Sequence, residues 1–139
     1  MEIKMTKEES EEYFYNSLCN GLGQMSGYGL EFDYKDLDYA KAKKSLQGKI
    51  VSGKSTLENS RSICFEDVLM EILRMGNKLS FKDIEGEGEY DRSITLEDVH
   101  NRVEKTPATH LMNMVNENDD AETADVILQI VFFEEIVFG

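Results

Sequence analysis

The sequence is poor in the residues that carry most catalytic and metal chemistry. It has two cysteines, two histidines and one proline among 139 residues. Cys19 and Cys64 lie 45 positions apart. That spacing gives neither a disulfide framework nor a CxxC zinc pattern, and it fits a reducing cytosol. GxSxG and HExxH are also missing, which argues against the commonest hydrolases and metalloenzymes but not against every enzyme. Long hydrophobic runs are missing too. The longest, Val126 to Phe133, is interrupted by Gln129 and is far too short to span a bilayer. The opening MEIKMTKEESEE is acidic and polar, unlike a signal peptide. These absences lead to the expectation of a cytoplasmic protein without a membrane partner.

Histidine and thiol chemistry is correspondingly thin. Glu97-x-x-His100 supplies half of a di-iron carboxylate set, which needs that motif twice. His110 has Pro107 three positions before it, so the second copy is missing. Cys64 sits near a helix start, where a thiol pKa can fall, but a small buried hydrophobe is the plainer reading. No metal or other cofactor is expected.

Basic residues are outnumbered, 15 Lys and Arg against 28 Asp and Glu, for a net charge of −13. The imbalance is uneven. Residues 1–24 hold five acids and two bases, residues 25–61 five acids and seven bases, and residues 62–139 eighteen acids and six bases. The last 78 residues therefore carry a net −12. Such a surface repels nucleic acid and anionic membranes and attracts basic partners. Solubility alone is the blander explanation.

The length favours one domain with one core, and a hydrophobic content of 40% is ordinary for a folded protein. Thr6 caps a helix over Thr6–Asn20, with Gly21, Gly23, Gly27 and Gly29 following and ending it. Leu30, Phe32 and Tyr34 alternate with charged residues as a short strand. Asp36 caps a helix over 37–47 that stops at Gly48, and residues 48–61 read as a mobile, lysine- and serine-rich loop. Ser62 caps a strong helix whose stripe is Phe65, Val68, Leu69, Ile72 and Leu73, with Gly76 as its stop. Leu79 and Phe81 begin a strand, and residues 90–95 form a second. Gly86-Glu87-Gly88 serves as the hairpin turn between them. Thr95 and Asp98 form a capping box for a helix through Glu104, and Pro107 takes the first position of another. After a cap at Asp120, residues 126–138 are apolar nearly all round. Buried helix and paired strands both satisfy that run, and the cap favours a helix to about Phe133. Its apolar end is expected to pack into the core or a subunit interface. The fold class is α+β: a single domain over 1–139, predominantly helical, with a small antiparallel hairpin or sheet.

Several patterns carry candidate chemistry. Asp83, Glu85, Glu87, Glu89 and Asp91 occupy every second position. On one continuous strand these carboxylates line up roughly 6.6 Å apart, a row suited to the phosphate sites of a basic protein. A turn at Gly86–Gly88 gathers the row into a cluster at a hairpin tip instead. The same residues fall on EF-hand positions, but the twelfth, where a bidentate Glu belongs, is Ile94. Gly48-Lys49-Ile50-Val51-Ser52-Gly53-Lys54-Ser55 satisfies GxxxxGK[ST]. A P-loop follows a buried strand, whereas Ala40–Gln47 reads as basic helix. A weaker phosphate site using Lys49, Lys54 and Ser55 stays open. The seven methionines fit core filling, or an adaptable binding face.

The stretches CFEDVLMEILRMGNKLSF (64–81) and SITLEDVHNRVEKTPATHLMNMVNENDDAETADVILQIVFFEEIVFG (93–139) resemble small acidic proteins of phages and related mobile elements. The resemblance covers about half the chain and carries over no functional residue. It implies a host-cell setting in which small binding proteins block or divert host machinery. Two expectations follow. The first is a non-catalytic protein that binds a basic, nucleic-acid-handling host protein, with no direct nucleic-acid contact, through Asp83, Glu85, Glu87, Glu89 and Asp91. The second is a homo-oligomer, assembled through Val126–Phe138, that sequesters a nucleotide-type molecule. A virion or assembly component is a third.

Overall fold

The computed structural model describes residues 4–51, 63–116 and 121–138, with the side chains of residues 50 and 51 left out. The elements are α1 (Lys7–Gly27), β1 (Leu30–Asp33), α2 (Asp36–Val51), α3 (Phe65–Arg74), β2 (Leu79–Asp83), β3 (Arg92–Ile94), α4 (Leu96–Arg102), a short 3-10 turn (Val103–Lys105), α5 (Ala108–Val115) and α6 (Ala121–Phe133). This is an α+β architecture, mostly helical, with one three-stranded antiparallel sheet in the order β1-β2-β3.

Local chemistry accounts for the helix starts. The Glu9 amide donates to Thr6 Oγ1 (3.1 Å) while the Glu9 carboxylate accepts from the Thr6 amide (3.0 Å), closing a capping box on α1. Thr95 and Asp98 repeat the arrangement on α4. Pro107 stands one position earlier than expected, as the N-cap of α5. α3 is capped at Cys64 rather than Ser62, because the Asp67 carboxylate accepts the Cys64 amide at 3.0 Å. It stops at Gly76 as expected. Gly76 has φ +86, its amide donates to Leu73, and Asn77 reaches back to Ile72, a Schellman closure.

Two expected stops do not occur. α1 runs through Gly21 and Gly23 to Gly27. A Cβ on Gly21 would lie 2.8 Å from Leu128 Cδ1 and 3.3 Å from Ala124 Cβ. That glycine lets α1 close on α6, and packing offsets its intrinsic cost of about 1 kcal/mol in a helix. α2 likewise begins at Asp36, with the Lys35 carbonyl accepting the Tyr39 amide, and continues past Gly48 to Val51. Residues 48–51 are thus helix, and the remainder of the expected loop, 52–61, lies outside the described residues. So do Ser62 and Asp120.

α6 is the central element. Every residue from Val126 to Phe133 is buried, as an all-round apolar helix requires. Phe132 meets Phe81 of β2 at 3.9 Å between ring centroids, Phe32 of β1 at 5.9 Å and Phe14 of α1 at 6.4 Å. One cluster of buried side chains joins helices and sheet. Met70 and Met114 fill it, while Met75 and Met112 are exposed. Among the described residues no helix is long and apolar enough to cross a membrane.

Candidate functional site: the acidic loop

The row of alternating acids is not one strand. β2 ends at Asp83, residues 84–90 form a turn, and β3 begins at Arg92. The ruler-like spacing is therefore lost, and the hairpin version of the row is the one formed. The physical cause is glycine. Gly88 sits at φ +85, a conformation other residues rarely adopt. A Cβ on Gly86 would run into the Asp83 carboxylate, so the chain doubles back there.

The five acids divide into two kinds. Asp83 and Asp91 build the turn. Asp83 Oδ1 accepts the Gly86 amide (2.8 Å), and Asp91 Oδ1 accepts the Asp83 amide (2.7 Å). The Asp91 amide in turn donates to the Gly88 carbonyl at 3.1 Å. Arg92 Nη1 donates to the Glu89 carbonyl (3.0 Å) and the Asp91 carbonyl (2.7 Å), with its guanidinium 5.5 Å from the Phe133 ring centroid. Glu85, Glu87 and Glu89 are exposed, and among the described residues their carboxylates form no ion pair within 4.0 Å. These three, rather than all five, are available to a partner.

The loop stands on a firm base. The Ile84 amide donates to the Gly29 carbonyl (2.9 Å), tying the loop to the end of α1. Tyr90 packs edge-on against Phe133 (6.2 Å) and Phe138 (5.0 Å). Phe138 stacks on Tyr28 at 4.4 Å and 7°. The Tyr28 hydroxyl donates to Asp125 Oδ2 (2.6 Å), and this bond pushes the Tyr28 pKa up to about 12. Beneath them Gln129, fully buried on α6, accepts the amides of Val137 and Phe138 (2.8 Å each) and donates to the Phe138 carbonyl (3.1 Å). The one polar residue in the apolar run thus exists to hold the segment that follows it. That interruption was the available signal in the sequence, but the partner it reads was not.

Other acids of the C-terminal segment are scattered in role. Glu97 and Glu122 are exposed, Asp98 is spent on capping α4 and pairing with Arg102, and Glu117, Asp119 and Asp120 lie outside the described residues. Among the described residues no group of three or more His, Cys, Asp or Glu is placed to hold a metal ion. His100 Nε2 lies 2.8 Å from Glu11 Oε2, and His110 Nδ1 lies 3.1 Å from Thr123 Oγ1. Cys64 is held by Asp67, with Sγ to Oδ2 at 3.0 Å. Burial first, and then the Asp67 bond, push this thiol up, opposite to the shift that a helix start alone would give.

The candidate phosphate residues fare differently. Gly48 and Lys49 lie on α2, not in a loop after a strand, and a helix at this point does not form the P-loop cradle. Lys49 Nζ is 2.7 Å from Glu71 Oε2, which also accepts the Ser45 hydroxyl at 2.6 Å. Lys54 and Ser55 lie outside the described residues. Of Val126–Phe138, expected as an assembly surface, Val126 to Phe133 face this chain's own interior, while Glu134, Glu135 and Ile136 are exposed and Val137 and Phe138 half-buried. No family model, no curated protein and no solved structure matches the chain.

Proposed function

We propose that this protein is a non-catalytic interaction protein that binds a basic, nucleic-acid-handling protein through the tip of its acidic loop. The observation that carries the reading is three exposed carboxylates, Glu85, Glu87 and Glu89, without an ion pair among the described residues, on a turn held by the Asp83 and Asp91 carboxylates and by Arg92. A pre-formed loop loses less conformational entropy on binding than a mobile one. Concentrated negative charge draws a basic partner by long-range attraction and speeds encounter. The loop offers a cluster of carboxylates rather than a phosphate-like ladder, so it competes for phosphate-binding side chains by charge and not by helical pitch. The resemblance to acidic phage proteins supports a host enzyme as the partner and block of its nucleic-acid site as the outcome.

The test is capture from a host lysate by the wild-type chain and by the triple variant Glu85→Lys, Glu87→Lys, Glu89→Lys. Basic proteins retained by the wild type, released by salt and absent from the triple-variant eluate are the expected result. Identical eluates from the two baits would refute the reading.

A further inference from the structure

We infer that the segment Glu134–Phe138 is a strap that positions the acidic loop, with Phe138 as the positioning residue and Tyr90 as the side chain through which it acts. The inference rests on the reading of this loop as the contact surface, and it names how that surface is regulated. The loop has two legs with different footings. The leading leg is fixed to the fold directly, because Asp83 closes β2 and Ile84 is bonded to Gly29. The trailing leg, Glu89 to Arg92, is tied at its far end by the Asp91 carboxylate on the Asp83 amide and by Arg92, which pairs with Phe81 and lies over Phe133. Before that end it rests its one large apolar side chain, Tyr90, on Phe133 and Phe138.

Phe133 belongs to α6, but Phe138 does not. It arrives there through an irregular segment. Glu134 adopts φ +62, unusual for a residue other than glycine, and reverses the chain at the helix end. Arg102 holds that corner, donating to the Val131 carbonyl (2.8 Å) with Nε 3.4 Å from Glu134 Oε1. Glu134, Glu135 and Ile136 are then exposed before Val137 and Phe138 return to the surface of α6. The return is held by the single amide of Gln129, which bonds the backbone of both residues, by the stack of Phe138 on Tyr28 and its edge contact with Phe133, and by Val137 against the core. Few groups therefore decide whether the strap is docked, and one of them is the ring under Tyr90. Undocking removes one of the two rings under Tyr90 and leaves β2, β3 and α6 intact. The spread of Glu85, Glu87 and Glu89 then widens, so partner affinity depends on the strap.

Amide hydrogen exchange of the full chain tests this, with octa-arginine as the binding probe. Phe138→Leu keeps apolar bulk but loses the ring, Phe138→Ala removes both, and Phe138→Tyr preserves the stack. The Leu variant, the milder change, is read even if the Ala variant fails to fold. The Asp91 amide is expected to exchange about tenfold faster in the Leu variant, with the β2–β3 pairing amides unchanged and Phe138→Tyr restoring wild-type protection. Octa-arginine affinity should fall about threefold in the same variant, the scale of a loop-ordering cost. Unchanged Asp91 exchange alongside lost protection at Val137 and Phe138 would overturn the strap. Unchanged octa-arginine affinity with a loosened loop would overturn its regulatory role. Failure of the wild type to bind octa-arginine would instead refute the contact surface, while the exchange data still decide the positioning.

Discussion

Glu71 and Glu87 are the same residue type in one acidic chain, and they sit at opposite physical extremes. Glu71, on α3, is 1% exposed and takes a hydroxyl from Ser45 and an ammonium from Lys49 of α2. Arg74 Nη1 stands 4.0 Å from its other oxygen. Arg74 also reaches Glu11 of α1, whose other oxygen lies 2.8 Å from His100 Nε2 of α4, so one chain of ion pairs and hydrogen bonds ties four helices. Burial pushes the Glu71 carboxyl up, but the Lys49 and Ser45 bonds outweigh it and hold the carboxyl below its usual range. Glu87 stands at the tip of an exposed turn with no cation beside it among the described residues. The contrast separates acids that hold the fold from acids that face outward, a division that net charge conceals. Only the second kind is available to a partner.

The largest expected effect comes from removing the cation of the buried pair. Lys49→Met strands a buried carboxylate and should cost about 2 kcal/mol in urea unfolding, below the full buried-pair penalty because Lys49 is itself half exposed. A cost below about 0.5 kcal/mol would erase the distinction between the two regions. Next is pH. The folded pKa of Glu71 lies below its unfolded value near 4.5, so its stabilisation is present above that value and lost as pH falls through the folded pKa. Glu71→Gln should flatten the acid limb of stability against pH below about 4.5. An acid limb as steep as the wild type's would contradict the assignment. A smaller effect is expected at Asp91. Asp91→Ala frees the Asp83 amide at an exposed site and should cost about 1 kcal/mol, with faster exchange in the turn. The smallest is at the tip, where Glu85→Gln, Glu87→Gln and Glu89→Gln together should change stability by no more than about 0.5 kcal/mol.

Much of the fold was legible because its signals are local. Thr6 with Glu9, Thr95 with Asp98, Pro107 and Gly76 each mark a helix boundary through groups within a few residues of one another. α6 was legible as a buried element by its apolar run, broken only at Gln129, while its expected cap, Asp120, lies outside the described residues. The misses share a cause, which is that the deciding partner is distant in sequence. Gly21 reads as a stop until α6 is seen to press on it, and Gly48 until Lys49 is seen to reach Glu71, 22 residues away. The alternating acids imitate a strand because alternation is the strand's signature, and Gly86 and Gly88 override it with a turn. Of the five candidate contact residues, the sequence placed all on one feature. It did not show that Asp83 and Asp91 turn inward to bond amides, nor that Tyr90 anchors the loop to Phe138.

The most direct measurement is a titration of octa-arginine into the wild-type chain and into the Glu85→Gln, Glu87→Gln, Glu89→Gln variant, at low salt and again near physiological ionic strength. Binding by the wild type that weakens with salt, and loss of about tenfold or more of that affinity in the variant without loss of stability, is the predicted result. Equal affinity and equal salt dependence in the two proteins would contradict the assignment of the loop tip as the contact surface.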